Sequence, residues 1–107
     1  MDNILLALEE ILEKRKSASA EDSYVASLYN KGTDQILKKI GEESAEVIMA
    51  AKSDGNDKII YEVADLWFHV LILLRYKNIR VDDIEAELAR RFGISGLEEK
   101  RNRSNKP

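Results

Sequence analysis

Residues 33–77 read TDQILKKIGEESAEVIMAAKSDGNDKIIYEVADLWFHVLILLRYK, and this stretch decides the fold. Its centre, Asp54-Gly55-Asn56, has the composition of a tight turn. On either side, apolar residues recur every three or four positions, the period of a helix with one buried face. Before the turn the stripe is Ile36, Leu37, Ile40, Val47, Ile48 and Ala51. After it come Ile59, Ile60, Val63, Leu66, Trp67, Val70, Leu71 and Leu74, with Ile72 and Leu73 widening the stripe. The pattern predicts one helix from Thr33, a residue suited to an N-cap, to about Ser53. A second runs from about Asp57 to Lys77. So short a turn folds the two into an antiparallel hairpin.

Outward from the hairpin, the same periodicity predicts a helix over Asp2–Lys16, with Ile4, Leu5, Leu8, Ile11 and Leu12 on one face. Ser17–Ser23 is small and polar, a loop. Tyr24–Tyr29 reads as a short helical turn ended by Lys31-Gly32. Asn78–Arg80 makes another turn, Val81–Arg91 a last helix closed by Gly93, and residues 96–107 a charged C-terminal arm. The only proline is Pro107, and strand alternation is absent. The expectation is a single all-α domain over residues 1–107, a helical bundle built around the long hairpin. The apolar circumference of the second hairpin helix exceeds what one layer of helices covers. A homo-oligomer, dimer or higher, is therefore expected to complete the bundle. Trp67 and Met49 read as core and packing residues.

Composition narrows the chemistry. The 107 residues are 44% apolar and 35% charged, with 17 basic and 20 acidic side chains and a net charge of -3. That balance offers no bulk attraction to nucleic acid or an anionic membrane surface. The absence of cysteine excludes disulfides, thiol catalysis and thiolate metal sites, and a single histidine excludes a multi-histidine zinc site. The early apolar run Ile4–Leu8 is too short for a signal peptide, and no run of about 20 apolar residues exists to span a bilayer. A cytoplasmic location is expected.

Two acidic pairs carry the functional signal: Glu43 with Glu46, and Glu62 with Asp65. Each is spaced i, i+3, which places its members about 4.5 Å apart along one helix face. In an antiparallel hairpin centred on Asp54, Glu43 lies level with Asp65 and Glu46 with Glu62. At about 100° per residue, Glu43 falls at the edge of its helix's apolar stripe and Glu46 flanks it. Glu62 flanks the stripe of the second helix, with Asp65 further round, so convergence of the four on the rim of the helix–helix seam is expected. Carboxylates gathered this closely raise one another's pKa. A divalent cation removes the conflict, and an all-oxygen donor set suits Mg²⁺, with Mn²⁺ as the alternative. Mg²⁺ held by carboxylates keeps open positions for substrate phosphate oxygens.

Cations flank the acids. Lys39 lies one turn before Glu43, where an ammonium neutralises phosphate oxygens that a metal does not reach; Lys31 and Arg103 are further candidates for phosphate contact. His69, one turn after Asp65, reads as an interface histidine, or as a partner that orients Asp65. The glycine-rich phosphate loop and the Glu-x-x-His element of di-iron bundles are both missing.

The segments Gly41-Glu42-Glu43-Ser44-Ala45-Glu46-Val47 and Glu62-Val63-Ala64-Asp65-Leu66 resemble the E-x-x-E…E-x-x-D signature of the MazG-type all-α nucleotide pyrophosphohydrolases. Ser23–Tyr29, Lys38–Glu43 and the closing Gly96–Lys100 with Arg103 narrow this to a resemblance to the phosphoribosyl-ATP pyrophosphatases of histidine biosynthesis, over roughly residues 3–103. Val25 and Tyr29 depart from that family's pattern, standing where Thr and Phe are expected. Arg101-Asn102 replaces small residues before Arg103.

The resemblance implies Mg²⁺-dependent hydrolysis of phosphoribosyl-ATP to phosphoribosyl-AMP and pyrophosphate. Glu43, Glu46, Glu62 and Asp65 then hold the metal, and Glu46, or else Glu43, serves the attacking water. Lys39, with Lys31 or Arg103, contacts phosphate. Many relatives are fused to a phosphoribosyl-AMP cyclohydrolase, a zinc module for which this sequence has neither length nor cysteines, so a separate cyclohydrolase is the implied functional partner. A general nucleoside triphosphate pyrophosphohydrolase and a non-catalytic helical dimerisation module are the alternatives to be separated.

Overall fold

The computed structural model describes residues 3–53 and 55–93. Among them are five α-helices and no strand: α1 (Ile4–Lys14), α2 (Tyr24–Lys31), α3 (Thr33–Ser53), α4 (Asn56–Tyr76) and α5 (Val81–Phe92). A 3-10 turn, Arg15–Ser17, extends α1. The all-α expectation is met, and each helix ends within a few residues of its predicted limit. The predicted C-terminal arm, residues 96–107, lies outside the described residues.

Local chemistry accounts for the boundaries. The Asn3 side chain accepts from the backbone N–H groups of Leu5 at 2.9 Å and Leu6 at 3.4 Å, starting α1. Ser23 Oγ accepts from Ala26 N at 3.1 Å and starts α2. One N-cap differs from the sequence reading. Thr33 is already the first residue of α3, and Gly32 takes the junction instead. At φ 91°, a conformation glycine adopts without steric cost, Gly32 ends α2, and its carbonyl accepts from Ile36 N at 3.2 Å. The chain thus passes from one helix to the next through a single residue. Asn78, at φ 61°, reverses the chain between α4 and α5, and left-handed Gly93 closes α5.

The α3–α4 hairpin is the dominant packing unit, and α1 and α2 lie against it. The core gathers Leu12, Val25, Leu28, Ile36, Leu71, Ile72 and Val81, with Leu5, Leu8, Tyr29, Ile40 and Phe68 among those packed around it. Leu12, Leu28, Ile36 and Ile72 are fully buried, each stabilising the fold by about 1.5–3 kcal/mol relative to exposure.

Several residues read as inward-facing point outward. Trp67 is 56% exposed and Ile60 67%, while Leu37, Ile48 and Met49 are also exposed. Helical periodicity identifies apolar faces. It does not say which of two faces on a broadly apolar helix this chain covers itself. On α4, residues Glu62, His69 and Ile72 turn inward, which rotates Ile60 and Trp67 to the far side.

The seam joining α1, α4 and α5 is polar. Glu9, 4% exposed, accepts from the first N–H of α5, Val81 N, at 2.7 Å and pairs with Arg80 Nη2 at 2.9 Å. Arg75 donates to Glu13 Oε1 at 2.6 Å and to the Ile79 carbonyl at 3.1 Å. Lys16 also lies against Glu13, at 3.2 Å. Lys16 and Arg75 hold the Glu13 carboxyl below the ordinary carboxylate range, against a smaller upward effect of burial.

Candidate metal and phosphate site

The hairpin register brings Glu43 on α3 against Asp65 on α4, as their level positions require. One ligand atom from each of Glu43, Asp65 and His69 falls within 4.8 Å of the others, and these residues form a potential cation-binding group. Two oxygens on one Mg²⁺, each about 2.1 Å from it, lie at most roughly 4.2 Å apart. The cluster therefore has close to the span that such a cation needs, with two carboxylates at its heart.

Its electrostatics are strained by like charge. Glu43 is 8% exposed. Burial pushes its carboxyl above the ordinary range, and the Asp65 carboxyl, near enough to share a proton with it, pushes in the same direction. Lys39 opposes the rise, with Nζ 3.7 Å from Glu43 and 3.3 Å from Glu42. Glu42 in turn is the main cause of a raised Lys39 pKa, so this ammonium stays charged beside the cluster.

His69 is 3% exposed and both ring nitrogens are engaged. Nδ1 lies 2.8 Å from the Asp65 carbonyl and 3.3 Å from Asp65 Oδ1. Nε2 lies 2.7 Å from the Tyr24 hydroxyl. The position of His69 one turn after Asp65 made it visible in the sequence. Tyr24 carried no such signal, because 45 residues separate it from His69 and only the packing of α2 on the hairpin joins them.

Glu62 is 4% exposed and pairs with Lys58 Nζ at 3.0 Å, an i, i+4 contact that the sequence spacing already contained. Glu46 is exposed on α3. Neither belongs to the three-residue cluster around Glu43. Lys31 is the exposed last residue of α2. Arg103 lies outside the described residues.

Residues 5–92 match the family described as phosphoribosyl-ATP pyrophosphohydrolase. A phosphoribosyl-ATP pyrophosphatase of Vesicomyosocius okutanii is 71% identical over 105 residues, covering 98% of this chain and all of the relative. The protein of the same name from Hydrogenovibrio crunogenus is 58% identical over 107 residues, covering 96% of this chain and 95% of its own. One from Neisseria meningitidis serogroup C is 50% identical over 103 residues, with 96% of both chains covered. The match spans every helix that contributes to the cluster, and the chain belongs to the phosphoribosyl-ATP pyrophosphohydrolase family, within the MazG-like superfamily.

Proposed function

We propose that this chain is a hydrolase that cleaves phosphoribosyl-ATP to phosphoribosyl-AMP and pyrophosphate, and that it uses the Glu43–Asp65 carboxylates to hold Mg²⁺ for the reaction. The placement in histidine biosynthesis follows from that substrate. The observation that carries the reading is a carboxylate pair, buried Glu43 against half-buried Asp65, set face to face on a family scaffold, its charge only partly offset by Lys39. The donors are oxygens, which suits Mg²⁺ or Mn²⁺ over softer metals. When bound, the cation draws charge from the triphosphate and stabilises the pyrophosphate leaving group.

The chain's own groups have separate tasks in this scheme. Glu43 and Asp65 anchor the cation, and Glu62, one turn before Asp65 and paired with Lys58, is the reserve carboxylate on the same helix. Lys39 stands beside the cluster as the phosphate contact, with Lys31 and Arg103 as outer candidates. Glu46 lies one turn beyond Glu43, exposed on α3, and is the group assigned to take a proton from the attacking water. Retention of full kcat by Glu46→Gln removes it from that task.

Pyrophosphate release from phosphoribosyl-ATP with Mg²⁺, beside ATP and dATP, tests the assignment. The expected result is selective release that EDTA abolishes. Comparable turnover of ATP and dATP points instead to a general nucleotide pyrophosphohydrolase, and no release from any of them to a non-catalytic helical module.

The exposed Leu37, Ile48, Ile60 and Trp67 support a homo-oligomer, at least a dimer. Sedimentation of wild type and Trp67→Glu tests this. A wild-type monomer at micromolar concentration contradicts it. A cytoplasmic location and a separate cyclohydrolase that takes up the product complete the proposal. Among the described residues no helix is long and apolar enough to cross a membrane.

A further inference from the structure

We propose that Tyr24 and His69 act together as a positioning pair that holds Asp65 for the cation and keeps the histidine itself out of the coordination. The inference rests on the metal-site reading above and adds to it two residues of α2 and α4. The Tyr24 hydroxyl and His69 Nε2 are 2.7 Å apart. On the other edge of the ring, Nδ1 meets the Asp65 carbonyl at 2.8 Å and its carboxylate at 3.3 Å. A carbonyl oxygen only accepts, so Nδ1 carries the proton and donates. Nε2 of the neutral ring is then the acceptor, and the phenol must donate to it. Tyr24 suits that task. A phenol carries its proton at neutral pH and is free to donate it. The tautomer is assigned from this network of partners.

Ring orientation is fixed as well as ring protonation. Tyr24 meets the imidazole edge-on at 5.7 Å between centroids, and Phe68 meets it edge-on at 5.5 Å. With 3% exposure the histidine has little freedom to turn. A metal-ligating histidine needs a free lone pair on the nitrogen that faces the ion. Here the lone pair of Nε2 is taken by Tyr24, and the nitrogen facing Asp65 is protonated. The three-residue cluster therefore offers oxygens alone, and its histidine sets the direction of one carboxylate.

Mn²⁺ titration of the metal-free protein by calorimetry tests the pair without reference to turnover. Tyr24→Phe removes one hydroxyl from a half-exposed side chain, so folding is not at issue. It is expected to weaken Mn²⁺ binding severalfold, and the associated loss of turnover shrinks as Mn²⁺ is raised. His69→Ala is expected to weaken binding by roughly tenfold or more, the usual effect of losing such a partner. His69→Asn, whose amide N–H replaces the Nδ1 donor, is expected to recover part of that loss. Wild-type affinity in both Tyr24→Phe and His69→Ala overturns the inference. Asp65→Asn separates the two levels: if it abolishes binding while Tyr24→Phe and His69→Ala leave binding intact, the metal site stands and only the positioning pair falls. If wild type itself takes up no Mn²⁺, both fall.

Discussion

The chain engages carboxylates in two places, buried Glu9 with exposed Glu13 and buried Glu43 with half-buried Asp65, and treats them in opposite ways. At the α1–α4–α5 seam, Glu9 and Glu13 meet only partners that favour their charge: the Val81 N–H, Arg80, Arg75 and Lys16. In the hairpin, Glu43 meets another carboxylate, with Lys39 as partial relief. The Glu13 carboxyl is accordingly held below its ordinary range and the Glu43 carboxyl pushed above it. The seam is a finished structural joint. The hairpin cluster is an arrangement that a folding optimum alone does not explain, and perturbed acids of this kind gather where ions or substrates bind.

The largest effect that separates the two regions is on turnover. Glu43→Gln or Asp65→Asn is expected to lower kcat by roughly two to three orders of magnitude, on the scale of removing one charge-stabilising group from an active site, with helical content by circular dichroism unchanged. A loss of helix alongside the loss of activity makes the cluster structural and collapses the distinction.

Next comes stability at the seam. Glu9→Ala strands the Val81 N–H and removes a partner of Arg80. The expected loss is about 1–3 kcal/mol by denaturant titration, the range for leaving a buried donor unmet. Turnover per folded molecule stays at the wild-type level. A change below about 0.5 kcal/mol, the scatter of surface substitutions, denies the seam its role.

The smallest effect is in pH dependence, where the two acids should differ in sign. Glu43 has a raised folded pKa. Its contribution is fully present below the ordinary carboxylate pKa and is lost as pH rises through the raised value. Glu13 has a lowered folded pKa. Its contribution is present above the ordinary value and is lost as pH falls through the lowered one. Melting curves of the metal-free protein from acid to neutral pH, with Glu43→Gln and Glu13→Gln beside wild type, read both slopes. Slopes of the same sign in the two differences contradict the contrast.

How much of this was legible in the sequence depends on the range over which each feature is decided. Register in the hairpin follows from a local turn and a fixed helical rise, so the opposition of Glu43 and Asp65 is readable from the sequence. The Lys58–Glu62 pair is equally local, an i, i+4 contact that gives Glu62 a cation within one turn. Features set by packing between distant segments were not readable. The Tyr24 hydroxyl reaches His69 across 45 positions, and Glu9 caps α5 across 72. Trp67 shows the same limit from the apolar side: its period marked a stripe, while its exposure depended on which face of α4 the rest of the chain occupies.

The central claim is that the hairpin carboxylates are held in like-charge opposition for a cation to relieve. Thermal melting of wild type and Glu43→Gln at neutral pH, each with and without Mg²⁺, tests it most directly. The expected result is a metal-free Glu43→Gln that melts above metal-free wild type, a wild type whose Tm rises with Mg²⁺, and a variant whose Tm does not. A wild type indifferent to Mg²⁺, or a variant that responds as wild type does, contradicts it.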